Sequence, residues 1–377
     1  MAVGENSAIL VDKEPGAEKK SSKNFVQSKK LCIFAPEKAI RRMKRTRKLL
    51  VLALWLLASN LMYAEPLHLL GIGNSFTENM LLLLPYLLPQ NGSGELDVAY
   101  LYRPGATLEQ YCEMMKKDER VCSLFEFHPE TGAWQETKHV RIDSVLALKK
   151  WDVITVQQAS PVSGIYNTIK PNLEVVLDTI EHYQPEARIA WHMTWSYSQN
   201  CTNSFFKNYD YSQLKMDYAI EQTTMELKSD FADRIDMIIP SQQLIKRLRT
   251  SEVNDSLDLT RDGYHLSAFA AEAVSDLVYE MLMAPRLSIP ITENVRGALG
   301  DTIHSASDFE YIKQVAYDVC HDTLIWEQLS ENIIYKTEFY SVMGFRLKDP
   351  GYRRPIIRRN YYLSGDIKNE RIILLEE

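Results

Sequence analysis

Short apolar, β-prone runs alternate with longer stretches of helical periodicity along most of this chain, which is the pattern of a parallel sheet wrapped by helices. The strands predicted in this way are His68–Gly73, Val98–Tyr102, Val153–Gln157, Arg188–Thr194 and Met237–Pro240. Each is short, apolar and bounded by polar or turn residues, as strands covered on both faces are. Between them, Glu78–Leu88, Pro171–His182, Tyr211–Lys228 and Ser267–Leu282 repeat apolar residues at helical spacing. Open sheets of this class place ligand sites beyond the carboxyl ends of their strands, and the chemistry-bearing candidates fall there. Ser307–Asp322 reads as one more helix of the main domain. From Trp326 onward, Tyr, Arg and β-branched residues suit a small β-rich appendage or a loosely attached tail. No internal repeat or low-complexity tract appears.

The 377 residues, 45% hydrophobic and 25% charged, suffice for one sizeable α/β domain plus extra segments. Charge is distributed unevenly. Residues 1–64 hold 13 Lys and Arg against 5 Asp and Glu, leaving the remainder with 30 against 45. That acidic remainder argues against a nucleic-acid partner, which requires a concentrated basic face. The basic excess is packed into Arg41, Arg42, Lys44, Arg45, Arg47 and Lys48, immediately before the apolar run Leu49–Ala58. Basic then apolar then small is the order of a secretory signal, with Ala64 at a suitable cleavage distance, although Met62 is larger than a processing enzyme prefers. The run is short for a membrane span, and an uncleaved anchor is the alternative. No cysteine stands at the cut, which speaks against a lipid anchor. Met43 begins a sequence that reads as a complete signal peptide. The expected organisation is therefore an upstream extension over 1–42, a signal peptide over 43–64, one α/β domain over 65–325 and a C-terminal extension over 326–377. The protein is expected to be periplasmic or extracellular, touching the membrane only through the export signal. Cys112, Cys122, Cys201 and Cys320 lie in the exported part, where disulfides are permitted, but their irregular spacing suits buried thiols equally.

Two segments carry chemistry. In Leu69-Leu70-Gly71-Ile72-Gly73-Asn74-Ser75-Phe76-Thr77, an apolar strand ends in Gly-Asn-Ser and a helix follows. A serine on such a turn points its hydroxyl at the site edge, and its own N–H can help hold an oxyanion. Helix capping by Ser75 or Thr77 is the purely structural alternative. In Leu259-Thr260-Arg261-Asp262-Gly263-Tyr264-His265-Leu266-Ser267, Asp and His stand three apart just before the last strong helix. The carboxylate can hold one imidazole nitrogen while the other faces a serine. Capping by Asp262 or Ser267 is again the alternative. Neither segment decides alone, but their pairing, one near each end of the domain, is specific.

Together these blocks resemble the SGNH/GDSL hydrolases. Gly73-Asn74-Ser75-Phe76-Thr77 is similar to their Gly-Asp-Ser-Leu block, and Asp262-Gly263-Tyr264-His265 to their final Asp-x-x-His. A closer resemblance is to the branch known as DUF4886, common in gut Bacteroidetes. Its central blocks resemble Trp151-Asp152-Val153-Ile154-Thr155-Val156-Gln157-Gln158-Ala159-Ser160 and Trp191-His192-Met193-Thr194-Trp195. The likeness runs from about Leu67 to about Pro285 and leaves out the leader and the last fifty or so residues. It implies a three-layer α/β/α sandwich, flavodoxin-like, with a five-stranded parallel sheet, and ester hydrolysis through an acyl-serine. By position Ser75 is the nucleophile, His265 the general base and then acid, and Asp262 the orienting carboxylate. The implied oxyanion hole combines the Ser75 N–H, the Gly105 N–H and a side-chain amide.

The family places an asparagine at that last position, whereas this chain has Gln157-Gln158-Ala159-Ser160. A glutamine offers the same carboxamide donor on a longer arm, so Gln157 is the expected donor and Gln158 the alternative. Asn74, Trp191, His192 and Trp195 are candidates for a substrate groove, although a tryptophan at a strand end is more often core. No metal-ligand spacing, phosphate-cradling loop or dinucleotide fingerprint is present, so no cofactor and no metal are expected. The expectation is an exported serine esterase acting on a small-molecule or glycan ester, with O-acetyl groups on glycans the favoured class. The alternatives are a lipid-directed or general carboxylesterase, and a carbohydrate-binding protein that kept the fold without the chemistry.

Overall fold

A computed structural model describes residues 65–89, 94–294 and 303–322, together with the strands 334–341, 346–347, 355–362 and 367–373. The leader and signal assigned to 1–64 lie outside the described residues. The main sheet has seven strands: β1 (Leu67–Gly73), β2 (Leu96–Tyr102), β3 (Cys122–His128), β4 (Ala133–Val140), β5 (Val153–Val156), β6 (Arg188–His192) and β7 (Met237–Ile239). Their order across the sheet is β4-β3-β2-β1-β5-β6-β7. The run from β2 to β7 is parallel throughout and is the expected five-stranded sheet. β3 and β4 extend it by an antiparallel hairpin, which the sequence reading did not anticipate.

Burial explains this division. β1 and β5 are almost wholly buried, so Leu-His-Leu-Leu-Gly-Ile-Gly and Val-Ile-Thr-Val present apolar residues to both faces. β4, Ala-Trp-Gln-Glu-Thr-Lys-His-Val, is exposed at six of its eight positions and forms the polar edge. It is anchored by Trp134, whose ring packs on Tyr100 and Phe127 and whose Nε1–H donates to Leu82 O at 3.0 Å. A charged, solvated edge strand carries little apolar signal and limits pairing with other chains.

Helices cover both faces. On one side α1 (Ser75–Leu81) packs on β1, β2 and α8 (Ala268–Leu282), and α8 in turn contacts α7 (Ser241–Arg249) and α10 (Ala306–His321). On the other, α3 (Leu108–Lys116), α4 (Ile142–Leu146) and α5 (Lys170–Tyr183) pack together. The connection from β6 to β7 runs through α6 (Gln213–Asp230). The expected helix at Ser307–Asp322 is α10, which opens with a capping box at Ser305 and Asp308. α1 stops earlier than the periodicity of Glu78–Leu88 suggests, because Pro85 starts a separate short helix, α2 (Leu84–Leu87). The C-terminal β-rich reading holds for strands β8 (Ile334–Ser341), β9 (Arg346–Leu347), β10 (Pro355–Tyr362) and β11 (Ile367–Ile373), which form a separate antiparallel sheet ordered β11-β10-β8-β9. Cys112, Cys122, Cys201 and Cys320 are all free thiols. Among the described residues, no helix is long and apolar enough to cross a membrane.

Candidate active site

The strand order reverses direction around β1, and the crevice beyond the carboxyl ends of β2, β1 and β5 is where an open sheet of this kind admits a ligand. Ser75 follows β1, Gly105 follows β2, and Ala159 and Ser160 follow β5. All four border one pocket of about 310 Å³.

The turn that presents Ser75 is tightly built. Asn74 is the N-cap of α1, with Oδ1 accepting from Phe76 N at 3.0 Å. Thr77 folds back onto the end of β1, where a Cβ on Gly73 would overlap Thr77 Oγ1 and press on the Gln157 side chain. The Gly73 carbonyl is held by Tyr111 OH at 2.5 Å and by Arg103 N at 3.1 Å, which ties the turn to the β2 loop.

On the opposite side of Ser75, the Thr260–Ser267 loop brings up Asp262 and His265. His265 Nε2 lies 2.8 Å from Ser75 Oγ, and His265 Nδ1 lies 2.6 Å from Asp262 Oδ2. A carboxylate only accepts, so Nδ1 carries the proton and Nε2 is left to accept from the serine hydroxyl. Burial opposes the charge of Asp262, but hydrogen bonds from the His265 ring and from the N–H groups of His265 and Tyr264 outweigh it and lower the carboxyl below its ordinary value. The loop is fixed from below. Leu266 N donates to Asn79 Oδ1 at 3.2 Å, Trp195 Nε1 donates to Tyr264 O at 2.8 Å, and Ser198 N donates to Gly263 O at 2.8 Å. Gly263 has φ +94° and sits against Cys201, whose Sγ would lie 3.1 Å from an added Cβ, so both its backbone conformation and its contact require glycine.

Several expected residues are placed elsewhere. Gln157 is not turned into the pocket: its Nε2 donates to Asn74 Oδ1 at 2.8 Å and its Oε1 accepts from Thr77 Oγ1 at 2.7 Å. Gln158, the alternative, is also occupied. Its Nε2 reaches Thr168 O and Oγ1 at 3.1 and 3.2 Å, while its Oε1 accepts from Leu108 N and Ala159 N. Both amides bind the loops together rather than facing a substrate, because each carboxamide finds protein partners on both ends. Trp191, His192 and Trp195 are likewise corrected from groove to core. Trp195 stacks on Phe76 at 4.3 Å, and all three are at most 2% exposed. His192 bonds to Ser241 Oγ and Gln157 Oε1, and burial lowers it to about 3, so it is a neutral core histidine without a carboxylate partner. Asn74 borders the pocket, but its amide is held at both ends, with Nδ2 donating to Ala106 O at 3.2 Å and Oδ1 accepting from Phe76 N and Gln157 Nε2.

The walls that the sequence reading missed are Tyr102, Ser160, Tyr197, Asn203, Phe205 and Tyr264. Ser160 and Tyr264 stood inside the quoted blocks, so position alone flagged them. Tyr197, Asn203 and Phe205 come from the irregular segment after β6, which has no periodic signal. No side chain bordering this pocket carries a permanent charge. Among the described residues, no group of three or more His, Cys, Asp or Glu could hold a metal ion.

Residues 68–281 match the family model of a domain of unknown function, DUF4886. The chain belongs to the DUF4886 family. It is similar to a crystal structure of a DUF4886 family protein from Bacteroides uniformis, with 28% identity, a TM-score of 0.61, and coverage of 67% of this chain and 94% of that one. More distant likenesses are to a candidate SGNH hydrolase from Slackia heliotrinireducens, at 18% identity and TM-score 0.37 over 56% of this chain and 95% of that one. Another is to a candidate GDSL-like lipase from Parabacteroides merdae, at 10% identity and TM-score 0.39 over 57% and 95%. No curated protein matches the chain.

Proposed function

We propose that this DUF4886 protein is a serine esterase in which Ser75 is the nucleophile, His265 the general base and then acid, and Asp262 the group that orients and stabilises the imidazole. The observation that carries the reading is the continuous line Ser75 Oγ, His265 Nε2, His265 Nδ1, Asp262 Oδ2, joined at 2.8 and 2.6 Å. As Oγ attacks the ester carbonyl, its proton passes to Nε2, and the imidazolium that forms faces the ionised Asp262. The alcohol leaves with that proton, and water, deprotonated by the same nitrogen, releases the acid from the acyl-serine. The N–H groups of Ser75 and Gly105 are the backbone donors to the oxyanion.

The pocket supports a choice of substrate class. Tyr102, Tyr264 and the 53%-exposed Phe205 supply flat aromatic faces, Ser160 and Asn203 supply neutral polar groups, and the volume is about 310 Å³. Neutral polar groups among aromatic faces suit a sugar ring, and the small volume suits a short acyl group such as acetyl. The basic and apolar leader supports action outside the cytoplasm on such O-acetylated glycans.

The test is hydrolysis of p-nitrophenyl acetate by protein beginning near Glu65, with Ser75→Ala and His265→Ala prepared alongside, followed by acetate release from acetylated xylan and pectin. Turnover that both substitutions abolish is the expected result. A folded but inert parent would overturn the esterase reading. Preference for octanoyl over acetyl esters would replace the glycan assignment with a general carboxylesterase.

A further inference from the structure

With Gln157 and Gln158 committed to the scaffold, the proposed oxyanion hole lacks the side-chain donor that the resemblance assigned. Ser160 Oγ and Tyr197 OH are 3.0 Å apart, and among the described residues neither hydroxyl has another partner. Two hydroxyls joined by one hydrogen bond hold two protons and use one, so one O–H remains available to a ligand. Either hydroxyl can donate in this pair; when the more acidic phenol does, Tyr197 donates to Ser160 Oγ and the spare proton is that of Ser160. Burial raises the Tyr197 hydroxyl well above its ordinary value, which keeps it protonated at neutral pH. Both residues border the pocket together with Ser75 and Gly105. Ser160 opens the short turn Ser160–Val162 just past the end of β5, the strand paired directly with β1.

We propose that the Ser160 hydroxyl, polarised by Tyr197, is the side-chain donor of the oxyanion hole. This rests on the esterase reading above. When the Ser75 Oγ–carbon bond forms and the carbonyl π pair moves onto oxygen, Ser160 gives that oxygen a hydrogen bond and keeps its own proton. When the tetrahedral species collapses and the alcohol departs, the bond relaxes. Tyr197 does not touch the substrate and acts as a positioning residue through Ser160.

The experiment compares kcat, KM and melting temperature for p-nitrophenyl acetate hydrolysis by the parent, Ser75→Ala, Ser160→Ala and Tyr197→Phe. A donor that acts only in the transition state predicts that Ser160→Ala lowers kcat about 10²- to 10³-fold with KM and melting temperature little changed. Tyr197→Phe is expected to lose roughly tenfold in kcat, the worth of one hydrogen bond that polarises another. Activity of Ser160→Ala within about threefold of the parent, beside an inactive Ser75→Ala, would overturn this proposal and leave the esterase intact. A loss carried by KM and melting temperature would assign Ser160 to structure and also overturn it. A parent as inert as Ser75→Ala would overturn the esterase reading itself, and the proposal with it.

Discussion

Ser75 and His265 are 190 positions apart in sequence and 2.8 Å apart in space, so each depends on a different local device to reach the same point. Asp262 is the simplest of the three to probe. Its carboxylate holds the Nδ1 proton of His265 and accepts the N–H groups of Tyr264 and His265 at 3.2 and 2.8 Å. Asp262→Asn keeps the shape and can still accept from the backbone, but its amide favours the wrong imidazole tautomer. We expect kcat to fall about 10⁴-fold with KM nearly unchanged, measured on p-nitrophenyl acetate at neutral pH. The residue scale is also where sequence reasoning went wrong about glutamine. A carboxamide at a strand end has the right chemistry for an oxyanion donor, yet which partner its N–H₂ meets depends on Asn74, 83 positions away.

At the scale of elements, the Thr260–Ser267 loop is the part on which the placement of Asp262 and His265 depends. It contains no helix or strand, only the isolated bridge between Thr260 and Leu266. Its geometry is held by α1 through Asn79 and by the segment after β6 through Trp195. The tryptophan that the sequence suggested as a sugar platform thus works as a tether, with its ring stacked on Phe76 and its N–H donated to Tyr264 O. Trp195→Phe leaves that carbonyl unpartnered and a void beside it, at a cost of about 1–3 kcal/mol in urea unfolding. The loosened loop should lower kcat in the same variant, and steady-state kinetics would show whether it does.

For the whole molecule, the layer formed by α8 and α10 contains a buried acid. Among the described residues, neither carboxylate oxygen of Asp276 on α8 has a hydrogen-bond partner. Burial, aided by Glu272 and opposed by Lys313, raises its carboxyl well above the ordinary value of 3.8. The folded value exceeds the unfolded one, so the associated stability is fully present below the unfolded value and is lost as pH rises through the folded one. Asp276→Asn cannot titrate. Its melting temperature is expected to rise relative to the parent's as pH increases above about 4, and a difference that stays constant with pH would count against a buried neutral acid.

The sequence alone determined the class of the fold, because the alternation of apolar runs and helical periodicity is local and repeated at every element. It also singled out Ser75, Asp262 and His265 as the candidates for the proposed triad, through the pairing of Gly-Asn-Ser at a strand end with Asp-x-x-His before the last strong helix. The hairpin β3–β4 was hidden because an exposed edge strand such as Ala133–Val140 has almost no apolar pattern. Only the tertiary structure decided which polar side chains face the pocket and which are spent in the scaffold. Gln157, His192 and Trp195 went inward, while Ser160, Tyr197 and Phe205 came to the pocket. The physical reason is that a hydrogen-bonding group is directed by its partners, and those partners come from strands and loops that meet only when the sheet is assembled.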